Sequence, residues 1–351
     1  MARTLPKILY AAYRFFPPRG GAELCTRTLL EELSSDYKCF AVADGNGESI
    51  QLGQITFVTV KRVWQMRERI IRINPDIIIT HGTFAPFVTA VAKYIRKPVI
   101  LFVRDHDYFC PDSVLMLHCD KNCKKCILHK SKNSYFQDME KMFHRVNELI
   151  YVSHFMRKIG LDFYGVDGSV VYPFIRSTDV VCRKKKRGLS NIGLSTGACH
   201  KGIEIFAQIA QAMPKQRFLV AGRCDNHMPR GLPNMKYIGL VLPTVFYARL
   251  SILLVPSIWP EPAARVILEA MGNRIPVVAS NIGGIPEIMG TAGILINDYR
   301  NPQAWIDKVK LLLGREQLYQ HFVEKGFKRF RHYNLTKEVD KVRCLIKKLL
   351  C

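Results

Sequence analysis

One pattern constrains this chain more than any other: short apolar, β-branched runs alternate with segments whose apolar residues recur every three or four positions, and the alternation is gone through twice. In the first half, extended runs at 7–12, 37–42, 55–60, 76–81, 98–103 and 149–152 are interleaved with helical patterns at 22–34, 63–73, 83–95 and 138–145. Such an order predicts βαβ units and a parallel sheet. Runs as apolar as the IIIT at 77–80 predict strands covered on both faces. A polar stretch follows, with five consecutive basic residues at 183–187, and then the pattern restarts. Strands are expected at 191–195, 217–221, 236–241, 252–256, 276–280 and 293–296, and helices at 202–212, 263–273 and 302–313. The predicted fold class is therefore α/β, with two doubly wound Rossmann-like domains. A length of 351 residues suits two cores. The expected boundaries are 1–172, 173–333 and a basic amphipathic helical tail at 334–351, which either packs back on the first domain or lies on a lipid surface.

The formal net charge of +23 is unevenly spread. Residues 1–172 carry 24 Lys+Arg against 17 Asp+Glu, and the remainder carry 28 against 12, giving +7 and +16. Such a field attracts polyanions: nucleic acid, anionic lipid or a diphosphate. A nucleic-acid-binding protein is the rival reading, but the basic run at 183–187 contains no aromatic residue on which a base could stack, and no nucleic-acid partner is expected. The amino terminus has no signal-peptide pattern, and no window approaches about 18 consecutive apolar residues. The expectation is a cytoplasmic protein with, at most, peripheral contact at the inner face of an anionic membrane. Eleven cysteines in that setting point to thiols or metal ligands before disulfides.

Open α/β sheets bind ligands at the carboxyl ends of their strands. There the first run ends in a loop with Gly20–Gly21 ahead of a helix, where bare backbone amides and the helix dipole favour an anion. In the second domain, PSIWPEPAARVILEAM spaces Glu261 and Glu269 eight residues apart. Glu261 is expected just before the helix and Glu269 two turns inside it, and the spacing brings the two within about 80° around the axis. Glu269 lies among Ile267, Leu268, Ala270 and Met271, where an unpaired carboxylate is costly, so it is expected to need a partner such as a ribose diol. Cys110, Cys119, Cys123 and Cys126 fall within 17 residues of a polar loop. Four thiolates there could close a structural zinc site or stay reduced or pair. Cys119, Cys123 and Cys126 also have the x3/x2 spacing of a radical S-adenosylmethionine iron–sulfur site, without the aromatic usually found before the last cysteine.

PSIWPEPAARVILEAM followed by PVVASNIGGIPEI resembles the signature of glycosyltransferase family 4, and GGAE at 20–23 and HKGIEIF at 200–206 fit it in the same order. The resemblance covers essentially the whole chain. It implies two Rossmann-like domains facing across a cleft (GT-B) and a retaining transfer of a hexosyl group from a UDP- or GDP-sugar. The acceptor is expected from the charge instead: a basic surface would suit a membrane, and so a glycan or glycolipid such as a lipid-linked or cell-surface polysaccharide precursor. By the same resemblance Gly20 and Gly21 line the donor phosphates, Lys201 neutralises the departing diphosphate, Glu261 faces the sugar, Glu269 holds the ribose, and Gly283 and Gly284 form a second glycine loop. Two departures stand out. Thr196 occupies the place of an Arg usual in the family, for which Arg223 or Arg265 could substitute. Where the family has His-Asp after a first-domain strand, this chain has Arg104–Asp105, with His106–Asp107 two residues on, so Arg104 and His106 are both site candidates. Asp105-His106-Asp107 is also a D-x-D, the manganese motif of single-domain glycosyltransferases. With the double-sheet pattern and E-x7-E present, catalysis without metal or other cofactor is expected, and a nucleotide-sugar epimerase is the rival that HKG and E-x7-E oppose.

Overall fold

The computed structural model describes residues 5–18, 20–110, 134–176, 191–224 and 231–351, with the single positions 180 and 229. They divide into two compact units, one reaching to Pro173 and resuming at Leu335, the other spanning Phe174–Asn334.

The first unit contains β1 (Lys7–Ala11), α1 (Gly21–Leu33), β2 (Lys38–Asp44), β3 (Ser49–Leu52), β4 (Ile55–Val60), α2 (Val63–Ile73), β5 (Ile77–Thr80) and α3 (Ala85–Tyr94), followed by β6 (Val99–Val103), α4 (Ser134–Phe143), β7 (Glu148–Tyr151), α5 (His154–Tyr164) and β8 (Ser169–Val170). Its eight strands are ordered β3-β4-β2-β1-β5-β6-β7-β8. Leu9 and Ala11 of β1, Ile78 of β5 and Val99 of β6 are buried in one core with Met66 and Ile70 of α2 and Val88 and Ala92 of α3, and every residue of β5 and β6 is buried, as two-faced coverage of the central strands requires. The helix ends follow local chemistry. The Ser153 hydroxyl accepts from the Met156 amide at 3.1 Å to start α5, and Gly165, at φ 65°, ends it.

One strand departs from the parallel expectation. β3 runs antiparallel to β4 at the sheet edge, and three of its four residues are exposed, so it carries no hydrophobic period for a sequence reading to detect. The chain's last helix, α12 (Leu335–Leu350), belongs to the first unit. Val339, Val342 and Ile346 are fully buried, and the Glu338 carboxylate accepts from the Tyr172 amide at 2.9 Å and from Lys341 Nζ.

The second unit holds β9 (Asn191–Gly197), α6 (Ile203–Ala212), β10 (Arg217–Cys224), β11 (Met235–Gly239), α7 (Pro243–Tyr247), β12 (Ile252–Val255) and α8 (Arg265–Gly272), then β13 (Val277–Ser280), α9 (Ile285–Met289), β14 (Ile294–Ile296), α10 (Pro302–Gly314) and α11 (Glu316–His332). Its six strands run β11-β10-β9-β12-β13-β14, and all pairings are parallel. Trp305 of α10 is fully buried, with Nε1 donating to Tyr299 O at 3.0 Å. No helix among the described residues is long and apolar enough to cross a membrane.

Candidate active site

In the second unit the carboxyl ends of β9 and β12 lead into two loops that lock together. After β9 the chain makes a 3-10 turn at Cys199–Lys201 and enters α6 through Gly202, at φ 79°. A Cβ on Gly202 would lie 1.8 Å from Pro256 O, so only glycine allows this approach. Ile258 N donates to His200 O at 3.0 Å, and the His200 and Trp259 rings meet edge-on at 4.9 Å. The result is that Lys201 and Glu261, 60 positions apart, are joined: Lys201 Nζ is 2.7 Å from both carboxylate oxygens of Glu261. The Ser257 hydroxyl donates to Glu261 at 2.6 Å, and the ammonium lies 4.9 Å over the Trp259 ring. Burial alone would raise the Glu261 carboxyl, but the Lys201 charge and the hydrogen bonds from Lys201, Ser257 and Trp259 outweigh it and hold the group below its ordinary range. Gly283 and Gly284 close the assembly from behind. Gly284 N donates to Glu261 O at 2.7 Å, and a Cβ at Gly283 would be 2.5 Å from Glu261 N. The second glycine loop therefore packs on the backbone that carries Glu261.

Two expectations about Glu269 need correction. α8 starts at Arg265, so Glu261 lies ahead of the helix, as expected, but Glu269 is one turn inside it and not two, and the two share no helical face. Nor is Glu269 unpaired. It is buried, but Tyr247 Oη donates to Oε2 at 2.6 Å and Arg265 Nη1 lies 2.8 Å from Oε1. Burial is thus satisfied within the protein, and Arg265, a candidate for the missing family Arg, is directed to Glu269. Each carboxylate oxygen keeps a second lone pair for another donor. Tyr247 is a member of this group with no signal in the sequence; burial first, then the Glu269 charge, pushes its hydroxyl well above the ordinary range.

In the first unit a polar cluster gathers at the carboxyl ends of β1, β5 and β6. Gly20, extended at φ −156°, caps α1, and Gly21 is its first residue. Arg104, just past β6, turns back to α1, where Nη1 donates to Ala22 O at 3.0 Å and to the Thr26 hydroxyl. Its guanidinium also lies 4.2 Å from the centre of the Phe102 ring. Next to it, His81 Nδ1 and the Tyr10 hydroxyl share a 2.5 Å hydrogen bond. Burial, then the Arg104 charge, lowers His81 from 6.5 to about 3, so the ring is neutral. Burial, then Asp107, raises the Asp105 carboxyl from 3.8 to about 7. His106, expected near the sugar, is fully buried with its ring edge-on to Phe155, and its carbonyl accepts from the Phe109 and Cys110 amides. His81 was overlooked as a site residue, although its place at the carboxyl end of the run at 76–81 was a usable signal.

Arg223 lies in β10, but its side chain lies outside the described part of the structure. Cys119, Cys123 and Cys126, the residues shared by the zinc and iron–sulfur readings, lie outside the described residues. Among the described residues, no group of three or more His, Cys, Asp or Glu is arranged to hold a metal ion.

The profile described as Glycosyltransferase Family 4 matches residues 19–178, and that described as Glycosyl transferases group 1 matches residues 191–315. The chain is 36% identical over 73 residues to spore coat protein SA of Bacillus subtilis, a match covering 20% of this chain and 19% of that protein. It is 24% identical over 233 residues to a 42.6 kDa protein of the cps region of Klebsiella pneumoniae, covering 62% and 61%. It therefore spans less than two thirds of the length of either curated relative. Among solved structures, sucrose-phosphate synthase from Thermosynechococcus elongatus superposes with a TM-score of 0.80 at 14% identity, over 98% of this chain and 99% of that one. HepE of Anabaena in complex with UDP-glucose superposes with a TM-score of 0.78 at 16% identity, over 97% and 99%. Two Rossmann-like units, each a doubly wound and mainly parallel sheet, define the GT-B architecture of nucleotide-sugar glycosyltransferases. The chain belongs to glycosyltransferase family 4.

Proposed function

We propose that the protein transfers a hexosyl group from a nucleoside-diphosphate sugar to a hydroxyl of a glycan or glycolipid acceptor, with retention of anomeric configuration. The observation that carries this reading is the pairing of half-buried Lys201 with buried Glu261, set on loops whose close approach only glycine permits. Cleaving the sugar–phosphate bond develops negative charge on the leaving diphosphate, and a fixed ammonium is suited to stabilise it. Lys201 moves from Glu261 toward that charge, and Glu261, held by Ser257, then accepts from the sugar hydroxyls. Glu269, oriented by Tyr247 and Arg265, offers its remaining lone pairs to the ribose diol. In the front-face displacement we infer, the acceptor oxygen bonds to the anomeric carbon on the face the diphosphate leaves, the carbon–oxygen bond to phosphate breaks, and the acceptor proton passes to the departing phosphate oxygen. UDP is the nucleotide favoured for the first test, since HepE was solved with UDP-glucose.

Calorimetry with bare UDP and GDP, next to initial rates with the full sugar donors, tests the assignment. Lys201→Ala is expected to lower turnover by about 10²–10³-fold with a smaller loss of nucleotide affinity. Glu269→Gln, which keeps the shape and one acceptor, removes charge-assisted hydrogen bonds of about 1.5–3 kcal/mol and should weaken the nucleotide by roughly 10- to 150-fold. Unchanged nucleotide affinity in folded Glu269→Gln, or unchanged turnover in Lys201→Ala, would remove that residue from the site.

A further inference from the structure

The amino ends of the strands in the first sheet, opposite the Arg104 cluster, carry a separate concentration of charge. Where α3 ends and β6 and β7 begin, a cavity of about 280 Å³ is lined by Thr89, Lys93, Arg96, Lys97, Arg145 and Asn147. Val99 completes the lining; four of the seven residues are cations, and none is an acid. Asp76 stands beside them, with Oδ1 3.9 Å from Lys97 Nζ and Oδ2 accepting from the Lys7 amide. Thr89 is only 4% exposed, and its hydroxyl has no hydrogen-bond partner among the described residues, whereas buried hydroxyls ordinarily find one. Asn147 Oδ1 accepts from Val99 N at 2.9 Å, so its NH2 is the group left to donate. The lining thus offers positive charge and neutral donors, the set that acceptor-only phosphate oxygens require.

Arg96 adds an independent sign. It follows the end of α3 at φ 54°, a left-handed position that helices usually fill with glycine. A long side chain is strained there, yet the position is held by an arginine that lines the cavity.

Beside the cavity, α2 and the end of α3 present Trp64, Tyr94, Val63 and Ile71 at 54%, 68%, 42% and 40% exposure. The Arg67 guanidinium lies 4.9 Å over the Tyr94 ring and ties the two exposed faces together. Residues 61–97 hold eight Lys or Arg against two Asp or Glu. Exposed aromatics among cations are the composition of a protein face that lies in an anionic membrane interface.

We propose that this cavity binds the phosphate of an anionic lipid headgroup, with the exposed face of α2 and the end of α3 lying on the bilayer beside it. The inference builds on the glycolipid branch of the proposed function by saying where the membrane contact lies. Its test involves no sugar transfer, so either can fail alone. The full chain is sedimented with vesicles of phosphatidylcholine and with vesicles that also contain phosphatidylglycerol. Binding is expected only to the anionic vesicles, falling as salt rises, with a blue shift of tryptophan emission, because Trp64 is exposed while Trp259 and Trp305 are buried. The double variant Lys93→Glu, Arg145→Glu should lose affinity for these vesicles by about tenfold or more. Arg96→Gly keeps the test sound should that variant misfold: it relieves the backbone, so the melting temperature holds or rises while vesicle binding drops. Equal sedimentation of wild type and Arg96→Gly, or equal binding to neutral and anionic vesicles, overturns the proposal. A melting temperature raised by inorganic phosphate in wild type but not in Arg96→Gly, without vesicle binding, assigns the cavity to free phosphate and overturns the membrane contact.

Discussion

At Asp105 and His81 the same burial acts on groups of opposite charge type. Asp105 is raised from 3.8 to about 7 by burial, then by Asp107, and His81 is lowered from 6.5 to about 3 by burial, then by Arg104. Between pH 3.8 and 6.5 the folded chain holds the Asp105 proton and no His81 proton, while the unfolded chain holds the reverse. The proton counts are equal, so these two groups leave stability flat across that window. Asp105→Asn should uncover the His81 contribution, with stability present above pH 6.5 and lost as pH falls toward about 3. His81→Gln should uncover the Asp105 contribution, present below pH 3.8 and lost as pH rises through about 7. Urea midpoints against pH, expressed as variant minus wild type, should therefore slope in opposite directions; parallel curves would exclude the buried pair. The same scale accounts for what the sequence concealed. Eight-residue spacing identified Glu261 and Glu269, but Tyr247, Ser257 and His81 are ordinary residue types whose roles come from what they touch.

Among the elements, the loops after β9 and β12 decide whether the proposed site exists. Gly202 and Gly53 both have positive φ, at 79° and 58°, but a Cβ at Gly53 meets nothing within 4 Å, whereas one at Gly202 would overlap Pro256 O. Gly53→Ala should cost only the backbone strain, about 1–2 kcal/mol. Gly202→Ala must also push the Cys199–Lys201 turn off Pro256–Trp259, adding about 1–3 kcal/mol and separating Lys201 from Glu261. The contrast is read by denaturant unfolding together with calorimetry of nucleotide binding. Loss of binding in Gly202→Ala with Gly53→Ala unaffected is the expected result, and equal behaviour of the two would mean that the loop contact does not organise the site. Elements with a strong apolar period, such as Val63–Ile73 and Ile55–Val60, were legible to the residue. α11 was not, because Val323 and Gly326 alone are buried along its 17 residues.

For the molecule as a whole, α12 is the instructive case. Its basic amphipathic sequence suited either a protein core or a lipid surface, and the structure has it in the first unit, with Val339, Val342 and Ile346 buried. Burial of each such side chain contributes about 1.5–3 kcal/mol. Ending the chain at Asn334 should therefore cost the first unit several kcal/mol, and it also strips the Tyr172 amide of Glu338. Hydrogen exchange is expected to speed up in strands β1 to β8 and to stay slow in β9 to β14; unchanged protection in the first unit would show that α12 contributes little. What the sequence by itself determined is the double run of βαβ units, the edges of most central strands and the glycine and carboxylate motifs, because hydrophobic period and turn chemistry act over a few neighbouring residues. What only the tertiary structure decided is the set of long-range meetings: Lys201 with Glu261, Tyr247 with Glu269, Glu338 with Tyr172, and the cations around Thr89. Those depend on which loops the sheets bring together, and no local pattern encodes a contact between residues that chain closure alone makes neighbours.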